Sequence, residues 1–402
     1  MKVALVTYAM NVGGLESVIL SLAHGLRESG HEVSFVITEG VGAWHNRPSC
    51  EGFPVETVLP NRWESRQRHV RRVAHVLSLV DAVLLNHSAP AQCGTGLLPA
   101  STVALAVLHN DVSDIYRVGL ANFENLDGVV AVGERVRAEA IARGVPAEQV
   151  FCIRNGVNVF SEYPKPNAPR IESHLRIIFL GRIFHEQKGV FYLPGVMSNL
   201  RNLGVRFRLD IVGDGPDREE LASRFSASGI SDSVHFHGAV PHDAAMGLLA
   251  EADVLVMPSH YEGQPVTLFE AMARGVVPVV SLLPGITDSV IQHDADGILV
   301  PVGDEAAFAR ELGRLTEPGL RYRISQAAWE RARQEFSVEA MTQSYLTLLS
   351  ACWNRRKAGH APKRTNTLDI VLLGKRSGVP IVFHEVSAAV KSTIVKRAFH
   401  GN

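Results

Sequence analysis

Short runs of consecutive apolar residues recur along most of the chain, separated by stretches with helical spacing. In the first half the runs are VALVTY (3–8), VSFVIT (33–38), AVLLNH (82–87), VALAVLH (103–109), GVVAVG (128–133) and VFCIR (150–154). They are continuous rather than alternating, as expected of parallel strands covered on both faces by helices. Apolar positions three and four apart predict helices between them, for instance Leu15 to Glu28 and Arg135 to Arg143. The segment FSEYPKPNAPRIESH (160–174) breaks the rhythm with three prolines, no period and mixed charge, and its core, 164–174, reads as an interdomain linker. The rhythm then resumes with RIIFLGR (176–182), RLDIVGDG (208–215), VHFHG (234–238), DVLVMPS (253–259), VPVVS (277–281) and GILVP (297–301).

Strand–helix alternation on both sides of a linker predicts an α/β protein of two doubly wound, Rossmann-like domains facing each other across a cleft. The expected divisions are 1–163, the linker 164–174, a second domain 175–336, a helix 337–358 and an extension 359–402. In such sheets ligands sit beyond the carboxyl ends of the strands, so chemistry-bearing residues are sought there. Composition narrows the class. At 402 residues the chain exceeds one core, while 46% apolar and 20% charged residues are ordinary for a globular protein. Forty Lys and Arg against 41 Asp and Glu leave no global field for nucleic acid. Four scattered cysteines (50, 93, 152 and 352), with no CxxC pair, favour a reducing compartment over a disulfide framework. The chain opens directly on a strand, without a signal-peptide layout, and no apolar run approaches the roughly 18 residues of a membrane span. A cytoplasmic protein is expected.

Several strand ends carry candidate chemistry. After the first strand, Gly13 and Gly14 in YAMNVGGLE allow backbone amides and a helix N-terminus to approach an anion, although a tight turn needs the same residues. After the first strand of the second half, GRIFHEQKG places Arg182 and Lys188 on one loop, as a fork and a point charge suited to a diphosphate or as two solvated cations. His109 ends the strand VALAVLH. Asp294 and Asp296 in HDADG read as a turn rather than a metal site, and His235 and His237 lack further ligands nearby in sequence, so no metal is expected. In SHYEGQPVTLFEAMARGV (259–276) a predicted helix starts at Pro265. It carries Glu270 within an apolar run, with Glu262 in the loop before it. A carboxylate in such a helix calls for a partner.

These pieces come in a recognisable order. GRIFHEQKG, LDIVGDGP, VHFHGAVP, the stretch ADVLVMPSHYEGQPVTLFEAMARGVVPVV and DGILVP, at about 175–315, resemble the donor-binding domain of retaining glycosyltransferases with the GT-B fold, family 4 of the sequence classification. NVGGLE and the NGV at 155–157 extend the likeness over some 350 residues, and the E-x7-E element Glu262–Glu270 is its most specific piece. The resemblance implies transfer of a sugar from a nucleotide-diphosphate sugar, a UDP- or GDP-sugar, to a hydroxyl acceptor, with retention of configuration and no required metal or other cofactor. By the same resemblance, Arg182 and Lys188 hold the diphosphate, Glu270 accepts the ribose hydroxyls, and Glu262 and His109 face the transferred sugar. Gly13 and Gly14 make room for the phosphates and sugar, Phe236, His237 and Gly238 contact the base through backbone groups, and the Val266 and Thr267 amides meet the phosphates. The helix ending near Trp353 returns to the first domain, and the linker is a hinge.

This sequence departs from the family pattern where PGITD carries Pro284 for a glycine and Asp288 for a glutamate, and where Pro265, lacking an N–H, stands for a glycine. Rival readings are a non-catalytic nucleotide-sugar-binding subunit, an epimerase and a phosphorylase, the last without any visible context for a cofactor-bearing lysine. The acceptor is not legible. NRWESRQRHVRR (61–72), with five arginines and Trp63, suits an anionic membrane surface or a solvated helix face. A peripheral contact at the inner membrane face through Arg62–Arg72 is therefore one expectation. The basic tail, predicted as a hairpin around Gly374–Gly378 and a short helix, is the other candidate: the last 48 residues hold ten Lys or Arg against Asp369 and Glu385.

Overall fold

The structure is a computed structural model that describes residues 1–11, 13–164, 174–362 and 364–365. Most of the expected linker and the basic extension beyond 365 lie outside the described residues. The chain divides into two compact units. The first comprises Met1–Val132, Val136–Ile153 and the chain from Thr342 onward; the second comprises Gly133–Arg135 and Arg154–Met341.

The first unit holds a seven-stranded parallel sheet: β1 (Lys2–Thr7), β2 (Glu32–Ile37), β3 (Val55–Thr57), β4 (Ala82–Asn86), β5 (Val103–Leu108), β6 (Gly128–Ala131) and β7 (Val150–Cys152). Their spatial order is β3-β2-β1-β4-β5-β6-β7. Every residue of β4, β5 and β6 is buried, which is why these strands read as unbroken apolar runs. β3 escaped the sequence reading because it is a short edge strand whose Glu56 and Thr57 face solvent. Beneath the amino ends of β5 and β6, Asp127 accepts a fork from Arg356, Nε to Oδ1 at 2.7 Å and Nη2 to Oδ2 at 2.6 Å, and also the Ala104 amide at 2.7 Å. Both side chains are buried, so the bidentate geometry and the amide together offset their desolvation.

The second unit holds six parallel strands: β8 (Leu175–Leu180), β9 (Phe207–Val212), β10 (Val234–Gly238), β11 (Val254–Met257), β12 (Val277–Ser281) and β13 (Ile298–Val300), in the order β10-β9-β8-β11-β12-β13. One core cluster joins Phe179, Ile211 and Val256 with Leu193, Met197 and Phe308 of the covering helices. A second gathers Met257, Leu268, Phe269, Met272 and Val280 around Phe336, whose ring stacks on Phe269 with centroids 4.5 Å apart.

The division between the units differs from the expected one at residue 163. The chain joins the second unit from Arg154: Val157 donates its amide to the Phe336 carbonyl (2.8 Å) and is buried in that cluster. Trp329 Nε1 donates to the Phe160 carbonyl (3.2 Å), and the hydroxyls of Tyr163 and Ser325 lie 2.7 Å apart. Val157, Phe160 and Tyr163 thus hold the stretch after Arg154 on the second unit. The long helix Val338–Lys357 is one continuous element whose first four residues cluster with the second unit and the rest with the first.

Candidate functional site

In the second sheet the strand order reverses between β8 and β11, and the loops that follow these two strands bring the predicted residues together. The loop after β8 forms a single helical turn, His185–Lys188, and Lys188 Nζ reaches Glu262 Oε1 at 2.7 Å. Ser259 Oγ donates to the same oxygen, also at 2.7 Å. Glu262, 6% exposed, is thus charge-paired and hydrogen-bonded. Expected to serve different parts of a ligand, Lys188 and Glu262 are here each other's partners, because an unpaired carboxylate at that depth would be costly. Arg182 is exposed, its guanidinium 5.4 Å from the Phe184 ring.

His260, absent from the sequence expectations, joins the two loops. A one-turn helix leaves its last carbonyls without partners, and His260 supplies two donors to it. Its amide donates to the Gln187 carbonyl (2.9 Å), and Nδ1 lies 3.0 Å from the Glu186 carbonyl. A carbonyl only accepts, so Nδ1 carries the proton, and in the neutral ring Nε2 accepts from the Tyr192 hydroxyl at 2.9 Å. Gly189, at φ 62°, ends the turn in the left-handed region, and a Cβ there would strike the Pro258 carbonyl. The backbone contact and His260 fix Lys188 relative to Glu262 independently of the ion pair.

Beyond this loop runs the helix Val266–Ala273, capped by Pro265 rather than starting on it. The Val266 amide turns back to the Gln264 carbonyl and the Leu268 amide to that of Pro265, both at 2.9 Å; among the described residues the Thr267 amide makes no such bond. Glu270 is half-buried, with His242 Nε2 at 3.7 Å from Oε1 and Arg274 bonded to its backbone carbonyl (3.2 Å). Burial pushes its carboxyl above the usual range, with His242 and Arg274 partly offsetting that shift. Unlike Glu262, whose carboxylate oxygen is held at 2.7 Å by both Lys188 and Ser259, this carboxylate has its ion-pair partner, His242, at the longer distance of 3.7 Å.

The remaining predicted residues are more dispersed. On β10, His237 donates Nε2–H to Asp210 of β9 at 2.7 Å, an aspartate that Arg208 also holds by its fork (2.8 to 3.2 Å). Burial works the other way, yet Arg208 and His237 keep Asp210 below its ordinary pKa. Gly238, at φ 70°, closes the strand and accepts the Gly213 amide at 2.9 Å. Asp288, which replaces the family's glutamate, is exposed; its turn is organised by Thr287 Oγ1, which donates to the Ser281 carbonyl and accepts the Leu283 amide, both at 2.7 Å. Asp294 pairs with Arg314 (3.1 Å) and Asp296 with Arg331 (2.8 Å), so both serve the turn. Among the described residues no three His, Cys, Asp or Glu side chains group as metal ligands.

In the first unit the helix Gly14–Glu28 follows β1, with Gly13 as its extended N-cap. A Cβ on Gly14 would meet nothing within 4 Å, so nothing in the described protein requires a glycine there. Buried Glu16, not anticipated from the sequence, accepts the Asn11 amide at 3.1 Å. His109 stands just past β5, Nε2 2.7 Å from Asn86 Oδ1, and burial followed by the nearby His87 pushes its pKa down to about 3. Within 61–72, Glu64 is buried against Arg72 (2.7 Å), while Arg62, Trp63, Arg68 and Arg71 are exposed. No helix among the described residues is long and apolar enough to cross a membrane.

Two parallel-sheet α/β units with loop chemistry at their carboxyl edges are the architecture of the GT-B fold. Comparison with known proteins agrees: residues 12–159 match the family described as Glycosyltransferase Family 4, and 174–317 that described as Glycosyl transferases group 1. The chain belongs to this glycosyltransferase family. WcaL of Escherichia coli, a glycosyltransferase named for colanic acid biosynthesis, is 31% identical over 217 residues, 52% of each chain, so the match spans about half of that relative. The lipopolysaccharide core biosynthesis glycosyltransferase LpsE of Rhizobium meliloti is 28% identical over 84% of this chain and 96% of its own. Among solved structures, Anabaena HepE in complex with UDP superposes with a TM-score of 0.74 at 19% identity, covering 87% of this chain and all of that one, a likeness of fold.

Proposed function

We propose that the protein transfers a sugar from a nucleotide-diphosphate sugar, a UDP- or GDP-sugar, to a hydroxyl of a glycan or lipid-linked acceptor, with retention of configuration. The observation that carries this reading is the Lys188–Glu262 pair where the second sheet's strand order reverses, with Arg182 on the same loop. A diphosphate leaving with growing negative charge is stabilised by fixed cations and by amides at a helix start. Lys188, Arg182 and the Thr267 amide supply these without a metal. Lys188 exchanges Glu262 for the diphosphate, which frees the Glu262 carboxylate for a sugar hydroxyl. Glu270, lacking a strong partner, takes the ribose hydroxyls, and the backbone at His237 and Gly238 takes the base. Gly13 and Gly14 leave room for the phosphates, and His109 contacts the transferred sugar. No side chain is assigned as a covalent nucleophile, so attack from the leaving-group face is the proposed route, the departing phosphate taking the acceptor's proton.

The exposed Arg62, Trp63, Arg68 and Arg71 suit contact with an anionic inner membrane face, where a lipid-linked acceptor lies. A thermal-shift screen against UDP-, GDP-, ADP- and dTDP-sugars tests the donor: one base should stabilise well beyond the others, and no shift with any of them overturns the reading. NMR of the product anomer tests the stereochemistry, an inverted product removing the proposed route.

A further inference from the structure

Glu270 and the imidazole nearest its carboxylate come from two helices packed together. The helix His242–Glu251 follows β10, and its Ala245, Met246 and Leu249 share a buried cluster with Ala271, the neighbour of Glu270 on the helix Val266–Ala273. His242 stands three, four and seven positions before those apolar residues. The helical period therefore places it on the same face, as the polar end of the packed stripe. Its Nε2 lies 3.7 Å from Glu270 Oε1, too long for a hydrogen bond. The other charged side chain facing that carboxylate is Arg274, whose Nη1 donates to the Glu270 backbone carbonyl (3.2 Å). The side chains of His242 and Glu270 are 44% and 13% exposed, so both are reached from solvent.

What fits between them follows from their donors and acceptors. Facing a carboxylate, Nε2 carries a proton, whereas Oε1 only accepts. A group that satisfies both must donate one hydrogen and accept another. An ionised phosphate has no hydrogen to donate and an ammonium has no lone pair to accept with, but a hydroxyl does both. Two partners of one hydroxyl oxygen, each about 2.8 Å away, stand roughly 4–5 Å apart. A small outward swing of the exposed imidazole opens that space. Burial already works against the charge of Glu270, so an O–H donated to Oε1 stabilises the ionised form.

We infer that His242 and Glu270 clamp one ribose hydroxyl of the donor nucleotide, which donates to Oε1 and accepts from Nε2–H, so that the clamp selects against a nucleotide lacking that hydroxyl. The inference rests on the ribose role proposed above for Glu270, and adds to it a second residue and a selectivity. Without the hydroxyl, the carboxylate and the imidazole N–H are left facing a gap that neither closes. Polar groups left unpaired in a site shaped for a hydroxyl are what reject the analogue without it.

Calorimetry on the full chain compares UDP and GDP with their 2′-deoxy and 3′-deoxy analogues in wild type, His242→Ala, His242→Gln and Glu270→Gln, with circular dichroism checking that each is folded. Wild type should prefer its ribonucleotide about ten-fold or more over one of the two analogues, which identifies the clamped hydroxyl. His242→Ala should weaken the ribonucleotide about ten-fold but that analogue less than about two-fold. His242→Gln, whose amide N–H comes close to the Nε2 position, should recover to within about three-fold of wild type. A purely structural role for His242 would weaken every nucleotide alike.

Equal loss for ribonucleotide and analogue in His242→Ala, or no loss, overturns the inference; the ribose role of Glu270 then still stands if Glu270→Gln abolishes the preference. A preference that Glu270→Gln leaves intact, or no preference in the wild type, overturns both. Wild type that binds no nucleotide overturns the functional reading as well.

Discussion

The two places where strand order reverses are built on opposite principles. In the second sheet the crossing is made by opposite charges, Lys188 and Glu262, that hold each other at 2.7 Å. In the first it is made by the rings of Tyr8 and His87, beside an imidazole nitrogen without a hydrogen-bond partner among the described residues. The difference follows from the cost of waiting for a ligand. A buried charge without a partner costs several kcal/mol, a buried neutral acceptor about 1–3 kcal/mol. The charged site must therefore be satisfied internally and exchange partners on binding, whereas the neutral one tolerates standing open.

Breaking the charged side should have the largest effect. Lys188→Ala strands Glu262 and should cost about 3–5 kcal/mol of stability by denaturant unfolding. The double variant Lys188→Met with Glu262→Gln should recover most of that loss without recovering turnover. Equal stability of Lys188→Ala and wild type would mean that the pair is not what satisfies Glu262. Next, His260→Leu removes two side-chain hydrogen bonds of about 1 kcal/mol each. If His260 positions Lys188, kcat should fall about ten-fold or more with little change in donor KM, and His260→Asn, which keeps a donor for the Glu186 carbonyl, should return part of it. A proportional rise in KM instead would make His260 a binding element.

The smallest effect separates Glu270 from Glu262. Glu270→Gln should weaken nucleotide binding about ten-fold, about 1.4 kcal/mol. Its stability should move the other way. The folded carboxyl has a raised pKa, so ionising it costs stability as pH rises from the unfolded value through the folded one. The glutamine variant should therefore be more stable than wild type at neutral pH and converge with it under acid conditions, as measured by unfolding between pH 4 and 8. Glu262→Gln, which leaves Lys188 without its counter-charge, should show no such gain.

How much of this was legible varies with the range of the interaction that decides it. The central strands β4, β5, β6, β11 and β12 are buried on both faces, so their composition announces them; β3, half solvent-facing and three residues long, does not. Glu262, Glu270, Arg182 and Lys188 stand out in the sequence by motif and by their place after strands, but the ion pair of Lys188 with Glu262 joins residues 74 positions apart and follows only from the fold. His260 and His87 look like ordinary loop histidines until their partners are known: the Glu186 carbonyl and Tyr192 hydroxyl for one, Asp114 and Tyr8 for the other. The boundary near 153 was missed for the same reason, since proline content marks an irregular segment but not the surface it packs on.

The first unit is assembled from two stretches of chain distant in sequence, joined by the fork of Arg356 on Asp127. Dividing the gene between residues 165 and 173 would therefore yield no autonomous halves. The downstream piece would carry away the arginine that neutralises a buried aspartate of the upstream one. The two polypeptides, produced together, are instead expected to recombine by fragment complementation, which makes the chain a candidate scaffold for a split reporter whose signal depends on reassembly.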